Sequence, residues 1–108
     1  MKSLLAFYLC LTLTAASIAE SDGHALIVSA TQHYVAANSG IQKMHIVVER
    51  VEGSYARTKV APADANAADA AWVFLKKEHG AWIGLTLGTS FNSNDYRRLG
   101  IPLGLWLK

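Results

Sequence analysis

The rhythm of apolar and polar positions changes twice along this chain, and each change marks an element boundary. Residues 24–38, HALIVSATQHYVAAN, hold no Gly or Pro and set Leu26, Ala30, His33, Tyr34 and Ala37 at helical spacing. That spacing predicts an amphipathic helix. Val28 and Val35 widen its apolar surface enough to need a broad partner, such as a sheet. Asp22 stands where an N-cap belongs, and Asn38-Ser39-Gly40 supplies the stop.

From Lys43 the pattern becomes that of strands. MHIVVERVEGSYARTKVAP is rich in β-branched residues and breaks at Glu52-Gly53-Ser54, which predicts a hairpin. A three-residue loop pairing Val51 with Tyr55 puts Ile46 opposite Val60, Val48 opposite Thr58 and Glu49 opposite Arg57. One face is then apolar and the other carries a cross-strand ion pair. A two-residue loop at Glu52-Gly53 mixes the faces and asks Glu52 for a positive φ, so the longer loop is preferred.

PADANAAD, residues 62–69, is a connector with turn signals. A second hairpin follows in DAAWVFLKKEHGAWIGLTLGT. A Glu78-His79-Gly80 loop sets Leu75 opposite Ile83, Val73 opposite Leu85 and Ala71 opposite Leu87, a wholly apolar face. The other face carries Trp72 opposite Thr86, Phe74 opposite Gly84 and Lys76 opposite Trp82. An aromatic across from a strand glycine is a known way to cover it.

Asn92 or Ser93 can cap a short helix through Tyr96 and Leu99, with Gly100 as its stop. The apolar tail from Ile101 to Leu107 must be buried somewhere. Helix, four hairpin-linked strands, short helix and tail predict an α+β domain: one N-terminal helix packed on a four-stranded antiparallel meander. No internal repeat or second domain is visible.

The start of the chain has a different character. Lys2 precedes an uncharged apolar run from Leu4 to Ala16, and Ser17-Ile18-Ala19 offers small residues at −3 and −1 of a cleavage site. This is the layout of a secretory signal peptide over residues 1–19, leaving a single domain at 20–108 in the periplasm or outside the cell. The run is short for a membrane span, which takes about 20 apolar residues. Cys10, the one cysteine, falls in the removed segment, so the exported form has no thiol for disulfides, metal or catalysis. Net charge is +2 and falls by one with Lys2, and no basic run exceeds two residues. Neither a nucleic acid nor an anionic membrane is implied as a partner.

The layout is similar to a reduced cystatin-like or NTF2-like domain, a likeness of fold that carries no function. Tyr55-Ala56-Arg57, Val73-Phe74-Leu75-Lys76-Lys77, Gly80-Ala81-Trp82, Leu87-Gly88-Thr89 and Leu99-Gly100-Ile101-Pro102 resemble a group of small exported bacterial proteins of unknown function. The resemblance covers about half of the exported chain, in turn and core residues. It implies the fold and the export, and no catalytic or ligand residue.

Chemistry is sparse. His24, His33, His45 and His79 form no metal-type pair, and His33 reads as a core or boundary histidine. No Gly-x-Ser-x-Gly nucleophile motif, phosphate-cradling loop or cofactor motif is present. Asp64 and Asp69 read as solvated turn residues. Cleavage after Ser21 instead of Ala19 would expose Asp22-Gly23-His24, a terminus suited to Cu(II) or Ni(II), and is the less favoured cut.

What remains is a surface. If the hairpins are neighbours, Val47, Tyr55, Arg57, Lys59, Trp72, Phe74, Lys76 and Trp82 all face away from the first helix. Aromatics interleaved with Arg and Lys suit a protein partner. The competing expectation, and the preferred one, is that the tail with Leu103, Leu105 and Trp106 folds over part of this face as a second core layer. The sequence therefore predicts a non-enzymatic, protein-binding domain: an inhibitor, an immunity factor or an envelope accessory. The alternative is a small-ligand-binding, cystatin-like domain with a pocket between helix and sheet, near His33 and Tyr34. A hydrolase or isomerase using His33 or His45 in such a pocket comes last.

Overall fold

The structure is a computed structural model that describes residues 23–64, 66 and 69–107. The signal peptide at 1–19, the Asp22 cap and part of the 62–69 connector lie outside the described residues. Residues 23–39 form helix α1. Strands β1 (Met44–Glu52), β2 (Tyr55–Pro62), β3 (Ala71–Glu78) and β4 (Ala81–Gly88) follow, then helix α2 (Ser93–Leu99) and a 3-10 turn at Leu103–Leu105. The strands form one antiparallel sheet in the order β1-β2-β3-β4. This is the expected α+β meander.

The buried stripe of α1 is Ile27, Thr31 and Val35, with Ala30 and Tyr34 beside it. It lies one position round from the expected face, so Leu26 and His33 are exposed rather than packed. The sheet partners explain the rotation. Thr31 Oγ1 donates to Ile27 O at 2.7 Å and lies 3.2 Å from Thr58 Oγ1. The two hydroxyls satisfy each other where an unpaired polar group would be costly. Around them Ile27 and Val35 meet Ala56, Val60, Val73 and Leu75.

Both hairpins turn tighter than expected. Glu52 pairs with Tyr55 across Gly53-Ser54, and only Gly53, at φ 59°, takes a positive φ. Glu78 pairs with Ala81 across His79-Gly80, both at positive φ. Two-residue turns with these signs match the twist of the strands, and histidine is among the residues that tolerate the left-handed region. Each hairpin then carries a bulge, at Glu49 in β1 and near Leu85 in β4.

The first bulge restores the expected pairs Ile46–Val60 and Val48–Thr58. In the second hairpin the tight turn shifts β4 by one position as far as the bulge. Leu75 therefore pairs with Gly84 rather than the expected Ile83, and past the bulge, where the shift becomes two, Phe74 pairs with Thr86 rather than Gly84. A one-residue shift exchanges the two faces of a strand. Trp82 moves to the α1 side and Leu85 to the opposite layer. Beyond the bulge Leu87 faces α1 as expected, but opposite Val73 rather than Ala71, and Val73 is not opposite Leu85. Gly84 is covered by Tyr34 from α1 rather than by Phe74, and a Cβ there would overlap the Tyr34 ring.

The other face of the sheet is a second core. Asn92 and Asp95 form a reciprocal capping box at the start of α2, and Gly100 ends it at φ 70°. Phe74, Tyr96, Ile101 and Leu105 are buried together there, with Leu85, Phe91, Trp106 and Leu107 around them. Burying each large side chain contributes about 1.5–3 kcal/mol. The tail thus covers part of this face of the sheet.

Candidate functional site

The binding-face residues separate once the tail is in place. Phe74 is 0% exposed and meets Phe91 and Tyr96 edge-on, at ring-centroid distances of 5.1 and 5.5 Å. Tyr96 in turn stacks on Trp106 at 4.7 Å and 15°. These are favoured aromatic geometries, and they belong to a core. Trp82 is on the α1 side, which corrects the expectation that both hairpin tryptophans share the face away from the helix.

Arg57 holds the tail. Its Nε donates to Glu49 Oε1 at 3.0 Å and its Nη1 to Leu105 O at 2.7 Å. The predicted Glu49–Arg57 ion pair thus forms, although Arg50 is the residue directly opposite Arg57. The bulge frees Glu49 to reach across, and the same Oε1 accepts Trp72 Nε1–H at 3.0 Å. Further along, Lys76 Nζ lies 5.6 Å from the Tyr55 ring centroid and 3.5 Å from Glu78. The neighbouring Tyr55 and then Glu78 hold the Lys76 ammonium above its ordinary value. Tyr55 approaches Gly100 at the end of α2, and the Glu52 carboxylate packs on Gly104.

An open row is left at the other end of the face. Val47 pairs with Lys59 and Lys59 with Trp72 across three strands. Val47 is 59% exposed, Lys59 is exposed with Nζ 5.4 Å from the Trp72 ring centroid, and Trp72 is half-buried. A cleft of about 290 Å³ runs from Trp72 past Thr89, Ser90 and Phe91 to Leu107.

The predicted pocket pair parts company. His33 lines a shallow cleft of about 240 Å³ with Leu26, Ala30 and Trp82, whereas Tyr34 lies over Gly84. A different cleft, of about 250 Å³, opens between the C-terminal end of α1 and the sheet. Val35, Ile41, Val60 and Leu87 wall it, and Asp69 and Thr89 stand among its lining. The sequence predicts a cleft between helix and sheet, but with His33 and Tyr34 in it, and neither lines this one. The available signal was Ile41, an apolar residue just past the helix stop, together with the small Ala71 where β3 begins. His24, His33, His45 and His79 are all exposed. No cluster of three metal-type ligands occurs among the described residues, and no helix among them is long and apolar enough to cross a membrane. No protein-family model, curated protein or solved structure matches the chain significantly.

Proposed function

We propose that this chain is a small exported, non-enzymatic domain that binds another protein, as an inhibitor, immunity factor or envelope accessory. The open row of Val47, Lys59 and Trp72 carries this reading. It presents an aliphatic side chain, a cation and an indole together, at an end of the face that the tail leaves open. Tryptophan is enriched at the centres of protein interfaces, and the Lys59 ammonium over its ring adds a cation–π contact. Glu49 fixes the Trp72 indole through its Nε1–H, so little side-chain freedom is lost on binding. Export and kinship with reduced cystatin-like or NTF2-like domains are part of the same proposal, resting on the N-terminal pattern and the helix-on-meander layout.

A photo-crosslinking residue at position 47, introduced in the exporting cell, tests the reading. A discrete adduct is expected there, lost in Trp72→Ala and missing from a control probe at the exposed Asn94. Equal labelling from positions 47 and 94 would refute the surface. A second reading, a small-ligand binder, is favoured by the apolar cleft at the C-terminal end of α1.

A further inference from the structure

The cleft at the end of α1 has a chemistry of its own. Val35, Ile41, Val60 and Leu87 give it branched aliphatic walls, and its volume of about 250 Å³ suits a small occupant. Ligand pockets for drug-sized molecules run to about 300–1,000 Å³. The lining holds one charged residue, Asp69, which is exposed and makes no ion pair among the described residues.

The helix adds to that charge. Val35 and Ser39 belong to the last turns of α1, and the C-terminal end of a helix carries partial negative charge that favours a cation. Ser39 Oγ is committed, donating to Val35 O at 2.7 Å and accepting Ile41 N–H at 3.2 Å. It offers nothing to an anion. Thr89 supplies a neutral hydroxyl.

We infer that this cleft binds a small molecule with an apolar body and one cationic nitrogen: an alkyl or aryl amine seated on the aliphatic walls, its ammonium turned to Asp69 and the α1 carbonyls. The inference rests on the second reading, that the cleft is a ligand site, and names the ligand class. Any carboxylate, in a fatty acid or a zwitterion, brings the wrong charge to a rim that holds Asp69.

Methyl NMR on the exported protein, titrated with hexylamine, 1-hexanol and hexanoate at pH 7, separates the parts of this inference. All three share one apolar body. Saturable shifts are expected at the methyls of Val35, Ile41, Val60 and Leu87, strongest for hexylamine. Its preference over hexanol should be about two- to fivefold, the worth of an exposed ion pair, and hexanoate should bind most weakly. Asp69→Asn should level hexylamine with hexanol while leaving hexanol unchanged, and Asp69→Ser should do the same. Ala71→Leu, checked by its melt, should narrow the cleft and weaken all three. If hexanol binds at these methyls and hexylamine gains nothing over hexanoate, the amine assignment falls and the ligand-site reading stands. If no probe gives saturable shifts there, both fall.

Discussion

The two faces of the sheet are closed by different means. On the α1 side a long helix lays Ile27, Thr31 and Val35 along a bed of Ala56, Thr58, Val60, Val73 and Leu75, and the buried centre holds no aromatic ring, Tyr34 and Trp82 packing only partly buried against it. On the far side the cover is a seven-residue helix and a three-residue 3-10 turn, too short to present a continuous aliphatic stripe. Fewer, larger groups replace it: Phe74, Phe91, Tyr96 and Trp106 in edge and stacked contacts. Side-chain bonds then fix the irregular backbone. Arg57 donates to Leu105 O, Trp106 Nε1–H to Ile101 O at 3.0 Å, and Leu107 N–H to Tyr96 Oη at 3.1 Å. A cover without regular hydrogen bonding must satisfy its own backbone groups one by one. Length of helix decides which strategy a layer uses.

The largest effects should come from neighbouring strand residues that serve opposite layers. Phe74→Ala is expected to cost about 3–5 kcal/mol and Leu75→Ala about 2–5 kcal/mol in denaturant melts. Native-state hydrogen exchange should distinguish them. Phe74→Ala should loosen residues 93–107 below the global unfolding energy, whereas Leu75→Ala should leave that segment opening with the rest. Equal behaviour would make the two layers one cooperative core.

Arg57→Ala removes the bridge from sheet to tail. A loss of about 1.5–3 kcal/mol is expected, as for hydrogen bonds to a charged group. Protease sensitivity should rise in the tail, and Arg57→Lys should restore only part. On the α1 side, Gly84→Ala forces a methyl into the Tyr34 ring and should cost about 1–3 kcal/mol. In a double-mutant cycle with Tyr34→Ala much of that cost should disappear. Additive costs would mean that Tyr34 does not cover Gly84.

How far the sequence foretold this division depends on the residue. The helix stop at Gly40, the four strands, the Asn92 cap and the Gly100 stop carry local signals, and each stands where the pattern put it. Bulges carry almost none. Glu49 and Leu85 are residue types that an unbroken strand also carries, yet one extra residue on an edge strand resets every face downstream. The expected Ile46–Val60 pairing emerged because a long loop and a short loop plus bulge give the same register past Glu49. The same substitution misplaced Trp82 and Ile83, which lie before the β4 bulge. Both bulges fall on edge strands, where such kinks discourage sheet-to-sheet pairing. The site was legible only in part: the aromatic and basic face could be composed from alternation, but which of its residues the tail covers depends on contacts remote in sequence.

The smallest effect tests the turn that sets Trp82 on the α1 side. His79 holds φ 52°, so His79→Val should cost about 1–2 kcal/mol, the penalty of a branched side chain in the left-handed region. His79→Gly should stay within about 0.5 kcal/mol of the parent, like most surface changes. Equal costs for Val and Gly would argue for a longer loop.

That the tail closes a second core on the face away from α1 can be tested within the tail itself. Leu103 is 76% exposed and Leu105, two residues on, is 0% exposed. With Cys10 replaced by Ser, Leu103→Cys and Leu105→Cys can each be exposed to a thiol reagent under native conditions. A docked tail predicts that the cysteine at 103 reacts as fast as in the unfolded chain, and that the one at 105 is slower by orders of magnitude until the protein is denatured. Matching native rates at the two positions would mean that the tail does not cover Phe74, and the second core would be contradicted.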